Sequence, residues 1–452
     1  MNRRLILNNL LSLNQLLGTQ VGKIQNFPLK TPIIQSKRTF KIENDKQTLT
    51  QEDQVKEQKK RNEEVQDMTE LIRDFLDPAE FYKSVQTISD IDFFCGVPDS
   101  LLKDFCAYIS TNVKKEKHII TSNEGAAIAM AAGYHLATGK SPMVYLQNSG
   151  LGNIVNPVMS LAVPAVYSIP MLLLIGWRGE PGKRDEPQHR VQGQSTPGIL
   201  AALGIPFQTL PDYQEGAEQA LLTAKQYMTN AKGPYCLLVR RQTFLPFKFQ
   251  RPPPRYTFNR EDALKIVIDE LDGRDIVVGT TGMLSRELFE YREVKKHGHE
   301  KDFLTVGSMG HASAIAMGIA MNKSKRQVFC LDGDGSVIMH MGTLATIGQN
   351  GPENLKHIIF NNGAHDSVGG QPTDADNENF SFAKIALGCG YKEAFEVHKE
   401  DDIREGIKRV RESKGPILME IKCNPGHRKN LGRPTRKPIE NKSDFMHFLA
   451  IN

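Results

Sequence analysis

The segment from Val328 to Gly363, VFCLDGDGSVIMHMGTLATIGQNGPENLKHIIFNNG, constrains the fold more than any other part of the chain. The apolar run at 328–331 predicts a strand, and the acidic, glycine-rich run Asp332, Gly333, Asp334, Gly335, Ser336 predicts a tight turn. A helix follows, and the apolar run at 357–360 predicts a second strand ending in Asn361 and Asn362. Such a unit puts both polar clusters at the carboxyl ends of parallel strands, where open α/β sheets bind their ligands. The two clusters can therefore meet.

Gly333 and Gly335 let the backbone approach a phosphate, and the free N–H groups at the following helix start favour an anion there. Asp334 and an asparagine side chain then supply hard oxygens suited to Mg²⁺ held jointly by protein and diphosphate. GDGS alone is a common acidic turn. GDGS followed roughly 25 residues later by Asn-Asn, after another apolar strand, is much more restrictive. This pattern resembles the thiamin diphosphate motif, in which GDG opens and NN closes a segment of about this length. The resemblance implies Asp334, Asn362 and the backbone carbonyl of Ala364 as Mg²⁺ ligands, with Ser336 beside the diphosphate; the residues alone do not choose between Asn361 and Asn362.

The remainder of the chain alternates in the same way. From Pro78 onward, helices predicted at 79–88, 100–109, 125–136 and 153–161 alternate with near-continuous apolar strands at 92–96, 118–121, 142–147 and 171–175. This is the pattern of a parallel sheet covered on both faces. A basic, Gly- and Pro-containing stretch at 176–198 reads as a loop, and the proline-rich run at 246–254 as a connector. Alternation restarts near 261 and continues to 422. We therefore expect an α/β protein with two doubly wound parallel-sheet domains at 75–245 and 258–430, joined by a connector at 246–257 and followed by a C-terminal tail at 431–452.

Two further strings carry chemistry. Glu124 stands in SNEGAA (122–127), where a strand meets a helix, and a carboxylate at a helix start suits the helix dipole. Beside the second-half motif it resembles the activating glutamate of thiamin enzymes, which hydrogen-bonds the pyrimidine ring nitrogen so that the opposite amino group can act as a base. VGSMGHA (306–312) reads as a strand running into a helix through two glycines. Here the resemblance implies that the Gly307 carbonyl faces the pyrimidine amino group and that Met309 is the apolar wedge that bends the cofactor.

Taken in order, GVPDS (96–100), SNEGAA, GWRGEPG (176–182), DEPQH (185–189) and NNGAHDSVGGQPT (361–373) are similar to the phosphonopyruvate decarboxylase family. The short connector leaves no room for the middle domain of pyruvate decarboxylase-type enzymes. The resemblance, which covers about residues 78–425, implies a pyrimidine-binding domain followed by a diphosphate-binding one. It also implies thiamin diphosphate and Mg²⁺ as cofactors, and decarboxylation of 3-phosphonopyruvate to phosphonoacetaldehyde and CO₂. The active site would lie between subunits of at least a homodimer. A substrate with a carboxylate and a phosphonate needs cations; Arg178, Lys183, Arg184 and Arg190 are the candidates. His189 and His365 are candidate proton donors, and Asp99 and Asp366 candidate substrate contacts. Sulfopyruvate decarboxylase is the nearest alternative activity, and a noncatalytic binding protein with the same fold is the alternative from a different class.

Net charge is +5, yet no basic block interleaved with aromatic residues points to nucleic acid. The six cysteines show no CxxC pair and no metal-ligand spacing, as in buried thiols of a reducing compartment. The apolar run at 161–177 is broken by Pro164 and Pro170 and reads as a helix end and buried strand, so no membrane span is expected. No GxGxxG follows an early strand, which argues against a dinucleotide-binding dehydrogenase. Residues 1–42 lack Asp and Glu and are leucine-rich, a composition resembling a mitochondrial transit peptide, with the cytoplasm as the alternative location. Residues 43–74 read as a polar linker.

Overall fold

Two six-stranded sheets carry the fold, and every strand pairing within them is parallel. The structure, a computed structural model, describes residues 75–251 and 253–451, all within one compact unit, Thr69–Asn452. The expected transit peptide and polar linker lie outside the described residues.

The first sheet is built from α1 (Pro78–Ser89), β1 (Phe94–Gly96), α2 (Lys103–Asn112), β2 (His118–Ile120), α3 (Glu124–Thr138) and β3 (Met143–Gln147). It continues through α4 (Leu151–Pro157), β4 (Leu172–Gly176), α5 (Pro187–Ala202), β5 (Phe207–Thr209), α6 (Gln214–Ala231) and β6 (Tyr235–Val239). Local chemistry sets the helix starts. Asp77 accepts the Ala79 N–H at 2.7 Å ahead of Pro78, whose missing N–H costs nothing at that position. The central strands LLLIG and YCLLV are buried along their whole length, because helices cover both faces. One core packs around Phe81, Phe105 and Tyr145 and the other around Ile128, Leu146 and Leu173.

The second sheet uses α7 (Arg260–Asp269), β7 (Ile276–Gly279), α8 (Met283–Lys295), β8 (Asp302–Leu304), α9 (Ala312–Asn322), β9 (Val328–Gly333) and α10 (Asp334–Met339). It is completed by α11 (Thr343–Asn350), β10 (Leu355–Asn361), α12 (Phe382–Cys389), β11 (Glu393–Val397), α13 (Asp401–Glu412), β12 (Ile417–Lys422) and α14 (Pro438–Ala450). The first sheet runs β2-β1-β3-β4-β6-β5, and the second, read from its other edge, runs β8-β7-β9-β10-β12-β11. The order is the same with each number raised by six. Two halves without an evident sequence repeat share one topology, and no third sheet separates them among the described residues. In each half the strand order reverses beside the first strand, opening a crevice between β1 and β3 and another between β7 and β9.

Three details differ from the sequence reading. The stretch 176–198 is not all loop: α5 begins at Pro187 and runs through Gly193, Pro197 and Gly198. Gly193 marks a close approach, since a Cβ there would lie 1.9 Å from the Gly179 carbonyl oxygen. The acidic run 332–336 is not a separate turn, because Asp332 and Gly333 finish β9 and Asp334 opens α10 directly. The C-terminal tail ends in α14, where Asn441 exchanges hydrogen bonds with β8, donating to the Asp302 carbonyl and accepting from the Leu304 N–H. That helix covers an edge strand, an interaction invisible to local periodicity.

α11 and α12 touch through Gly348, where a Cβ would lie 2.0 Å from the Cys389 carbonyl oxygen. Gly348→Ala is expected to destabilise the protein by about 1–3 kcal/mol through this overpacking. A lower urea midpoint with an unchanged slope would show it, and an unaltered midpoint would contradict the packing described.

Candidate active site

The crevice between β7 and β9 is lined by Thr280–Leu284 after one strand and Gly333–Ser336 after the other. Gly282 has φ +104°, which turns the chain sharply into α8, and Asp334 begins α10, so two helix starts face one cleft. The Ser336 hydroxyl ties three loops together, meeting Thr280 Oγ1 at 2.8 Å and accepting the Gly310 N–H at 3.0 Å. Gly333 is extended, with φ −115°, and a Cβ there would meet nothing within 4 Å, so its backbone borders open space. Gly335 is needed for a different reason. Its Cβ position lies 3.0 Å from Cε1 of His365, whose ring covers the loop.

Asp334 is buried, and its carboxylate accepts a hydrogen bond from the Thr373 hydroxyl. Burial pushes it up to about 7 against that hydrogen bond, and nearby Asp366 adds to the rise. Asn362 and Ala364 line the same cleft, whereas Asn361 turns away to donate to Glu420 at 2.8 Å. The Asn362 amide donates to Asp366 at 2.6 Å, and the Ala364 carbonyl accepts the Asp366 N–H at 3.0 Å. Asp366 borders the cleft, but its oxygens are engaged by Arg260 at 3.0 Å, Arg251 at 3.1 Å and the Gly426 N–H. Arg260 in turn pairs with buried Glu287 through two 2.9 Å contacts. Burial lowers His365 to about 4, so its imidazole is neutral at pH 7. Met309 also lines the cleft; Gly307, two residues before it, is half-buried.

The first-half candidates separate into three groups. Glu124 opens α3 and is only 4% exposed; its Oε2 accepts from Asn153 Nδ2 at 2.6 Å. Burial raises its pKa, with the Asn153 hydrogen bond opposing the rise. Asp99, Arg178 and His189 cluster where β1 and β4 end. Arg178 grips Asp185 through Nε at 2.8 Å and Nη2 at 2.6 Å, and donates to Ser100 at 2.9 Å. Asp185 is thereby held at about 2 despite its burial. Asp99 is fully buried and pushed up to about 6 by that burial, against the Leu101 N–H and the Arg178 charge. Burial, and after it Arg178, lower His189. Lys183, Arg184 and Arg190 are exposed, and their side chains make no ion pair among the described residues.

Among the described residues no first-half side chain lines the β7/β9 cleft, but the halves touch beside it. Asn123, next to Glu124, donates to the Met339 carbonyl at 3.2 Å, at the far end of the helix that Asp334 opens. Gln188 donates to the Val306 carbonyl at 2.7 Å, at the start of the turn holding Gly307 and Met309.

The family comparisons follow this division. Residues 85–198 match the thiamine pyrophosphate enzyme N-terminal TPP binding domain, and residues 278–421 the C-terminal TPP binding domain. Phosphonopyruvate decarboxylase of Streptomyces viridochromogenes is 32% identical over 367 residues, 76% of this chain and 90% of the relative. The enzyme of that name from Streptomyces hygroscopicus is 32% identical over 369 residues, 78% and 89% of the two chains. The chain is a thiamin diphosphate-dependent 2-oxoacid decarboxylase. Sulfopyruvate decarboxylase of Methanosarcina acetivorans is also similar, 27% identical over 381 residues, 78% of this chain and 92% of that relative.

The decarboxylase has residues that fit the cofactor its family uses. Burial raises the Asp334 carboxyl to about 7, oxygen donors from Asn362 and Ala364 converge beside it, and open space lies over Gly333 between two helix starts. Sequence reading missed several residues here. Thr280, Thr281 and Gly282 carry a strand–glycine–helix signal that could have been found; Arg260, Thr373 and Gln188 carry none, because their roles depend on partners at least 27 positions away. Arg286, near the start of α8, was missed too: it has no carboxylate partner among the described residues, and burial followed by the Arg178 charge lower its pKa. Cys330 likewise escaped the spacing rule, since parallel pairing brings it within 4.8 Å of buried Asp332 and His357. No helix among the described residues is long and apolar enough to cross a membrane.

Two stability measurements check these electrostatics. Arg260→Met strands the buried Glu287 carboxylate and weakens the hold on Asp366, and should cost about 3–5 kcal/mol in urea denaturation; a loss near zero would contradict the network. Asp99 has its folded-state value raised from 3.8 to about 6, so stability present at low pH is lost as pH rises through that window. The loss should reach about 2 kcal/mol in wild type relative to Asp99→Asn between pH 4 and pH 7, and parallel pH curves would refute it.

Proposed function

We propose that this decarboxylase converts 3-phosphonopyruvate to phosphonoacetaldehyde and CO₂, taking up one proton and needing no external oxidant. The observation that carries the reading is the similarity to two phosphonopyruvate decarboxylases, 32% identical through both halves and about nine-tenths of each relative. Bound thiamin diphosphate supplies the electron sink for the departing carboxylate. Asp334, Asn362 and the Ala364 carbonyl would hold Mg²⁺, and the N–H groups around Gly333 and Gly335 with the Ser336 hydroxyl would hold the diphosphate. Glu124 would hydrogen-bond the ring nitrogen, the Gly307 carbonyl would accept from the ring amino group, and Met309 would be the apolar side chain packed against the cofactor.

The anionic end of the substrate is met by Arg178 and Arg286. Their like charges lie close enough for one to depress the other, and Arg286 has no acid to neutralise it among the described residues. Arg184 and Arg190 remain available at the exposed rim. His189 and His365, both shifted toward the neutral form, exchange the substrate proton, and Asp99 orients the loop that carries Ser100.

The active unit is at least a homodimer. Supporting this, α3 exposes Ala129, Met130, Gly133 and Ala137, and α9 exposes Ala314, Gly318 and Met321; these small apolar faces suit close helix packing. The acid-free residues 1–42 direct the chain to mitochondria. Sulfopyruvate is the second substrate to consider, on the strength of the 27% identical relative.

Purified protein with thiamin diphosphate and Mg²⁺ should turn over phosphonopyruvate in preference to sulfopyruvate, and the reverse order would reject the substrate assignment. Chelation should abolish turnover and Mg²⁺ restore it. Glu124→Gln should lower kcat by about 10²–10⁴-fold; undiminished turnover would reject Glu124 as the activating acid.

A further inference from the structure

We propose that Asn153 is a positioning residue that fixes which oxygen of Glu124 carries the acid proton. The inference rests on the reading of Glu124 as the partner of the cofactor ring and extends it to the residues behind the carboxyl group. Asn153 Nδ2 donates to Glu124 Oε2 at 2.6 Å from the first turn of α4. On the other side, the Gly150 backbone presses on the same carboxyl group: a Cβ there would lie 2.2 Å from Oε1 and 2.4 Å from the carboxyl carbon. A third close approach locks the two segments together, since a Cβ at Gly125 would lie 2.9 Å from the Asn153 carbonyl oxygen. With 4% of Glu124 exposed, the carboxyl group has little room to rotate.

A neutral carboxylic acid has one oxygen that donates and a carbonyl oxygen that is the better acceptor. An amide N–H on Oε2 makes Oε2 the carbonyl oxygen and leaves the O–H on Oε1. Oε1 makes no hydrogen bond to another described residue, so it is the oxygen free to meet a ring nitrogen. Burial alone makes the group a weaker acid, and the Asn153 hydrogen bond counters that drift. Orientation and acidity are thus set by one side chain, and Gly150 gives that arrangement its space.

The test compares wild type with Asn153→Leu, Asn153→Asp and Asn153→Ser, each loaded with thiamin diphosphate and Mg²⁺. Three quantities are read: deuterium exchange at the thiazolium C2 position after acid quench, cofactor affinity by calorimetry, and far-UV circular dichroism. The Leu variant, matched in size but without a donor, should keep its fold and cofactor affinity yet exchange about tenfold more slowly, the scale of one lost hydrogen bond. Asn153→Asp, which replaces the donor with an acceptor, should slow at least as much, and Asn153→Ser, which keeps a donor, should recover part of the rate. Unchanged exchange in both the Leu and Asp variants, with Glu124→Gln slowed, overturns the role of Asn153 alone. Unchanged exchange in Glu124→Gln overturns the reading of Glu124 itself and the inference with it.

Discussion

Parallel pairing is the constraint on which the rest depends. A parallel strand can be reached only by a crossover, so every strand in both sheets ends at the same edge and hands its chain to a helix lying on a face. All the loops that carry chemistry therefore gather at one edge of each sheet. Where the strand order reverses, the loops after two neighbouring strands diverge to opposite faces and leave a crevice. The β7/β9 crevice collects Thr280 to Gly282 and Gly333 to Ser336 in this way, without any residue being placed there by local propensity.

Within that crevice, two buried carboxylates meet opposite treatment. Asp366 is surrounded by Arg260, Arg251 and the Gly426 N–H, which anchor the loop after β10 to α7 and to the chain beyond β12. Asp334 accepts the Thr373 hydroxyl and backbone N–H groups at the start of α10, has no cationic side chain among its interactions, and sits beside Asp366. Removing a partner from a buried ion pair leaves an uncompensated charge, so Asp366 depends on its arginines, whereas burial is the main influence on Asp334. A similar division holds in the first half, where Asp185 is paired with Arg178 and Asp99 is buried with little to neutralise it.

Much of this was legible in the sequence. The alternation of apolar strands and amphipathic helices identified two doubly wound sheets, because period and burial are local properties of the chain. The GDGS and NN strings located the cleft, because strand ends and turn glycines are readable one residue at a time. Reading failed where a glycine or proline was taken as a breaker. Pro187 starts α5 and Gly193 lets it approach Gly179, so the residues that suggested a loop are the ones that seat a helix.

The sequence by itself determined the class of fold, the order of the two halves, and the short strings that end up at strand termini. Only the tertiary structure decided that Asn362 and not Asn361 borders the cleft, that Asp366 is held by Arg260, that Arg286 lacks an acid partner among the described residues, and that Asn153 stands behind Glu124. The physical reason is range. Propensity and hydrophobic period act over a few residues, while the state of a buried charge is set by whichever side chains the fold brings within hydrogen-bonding distance, however far apart they lie along the chain.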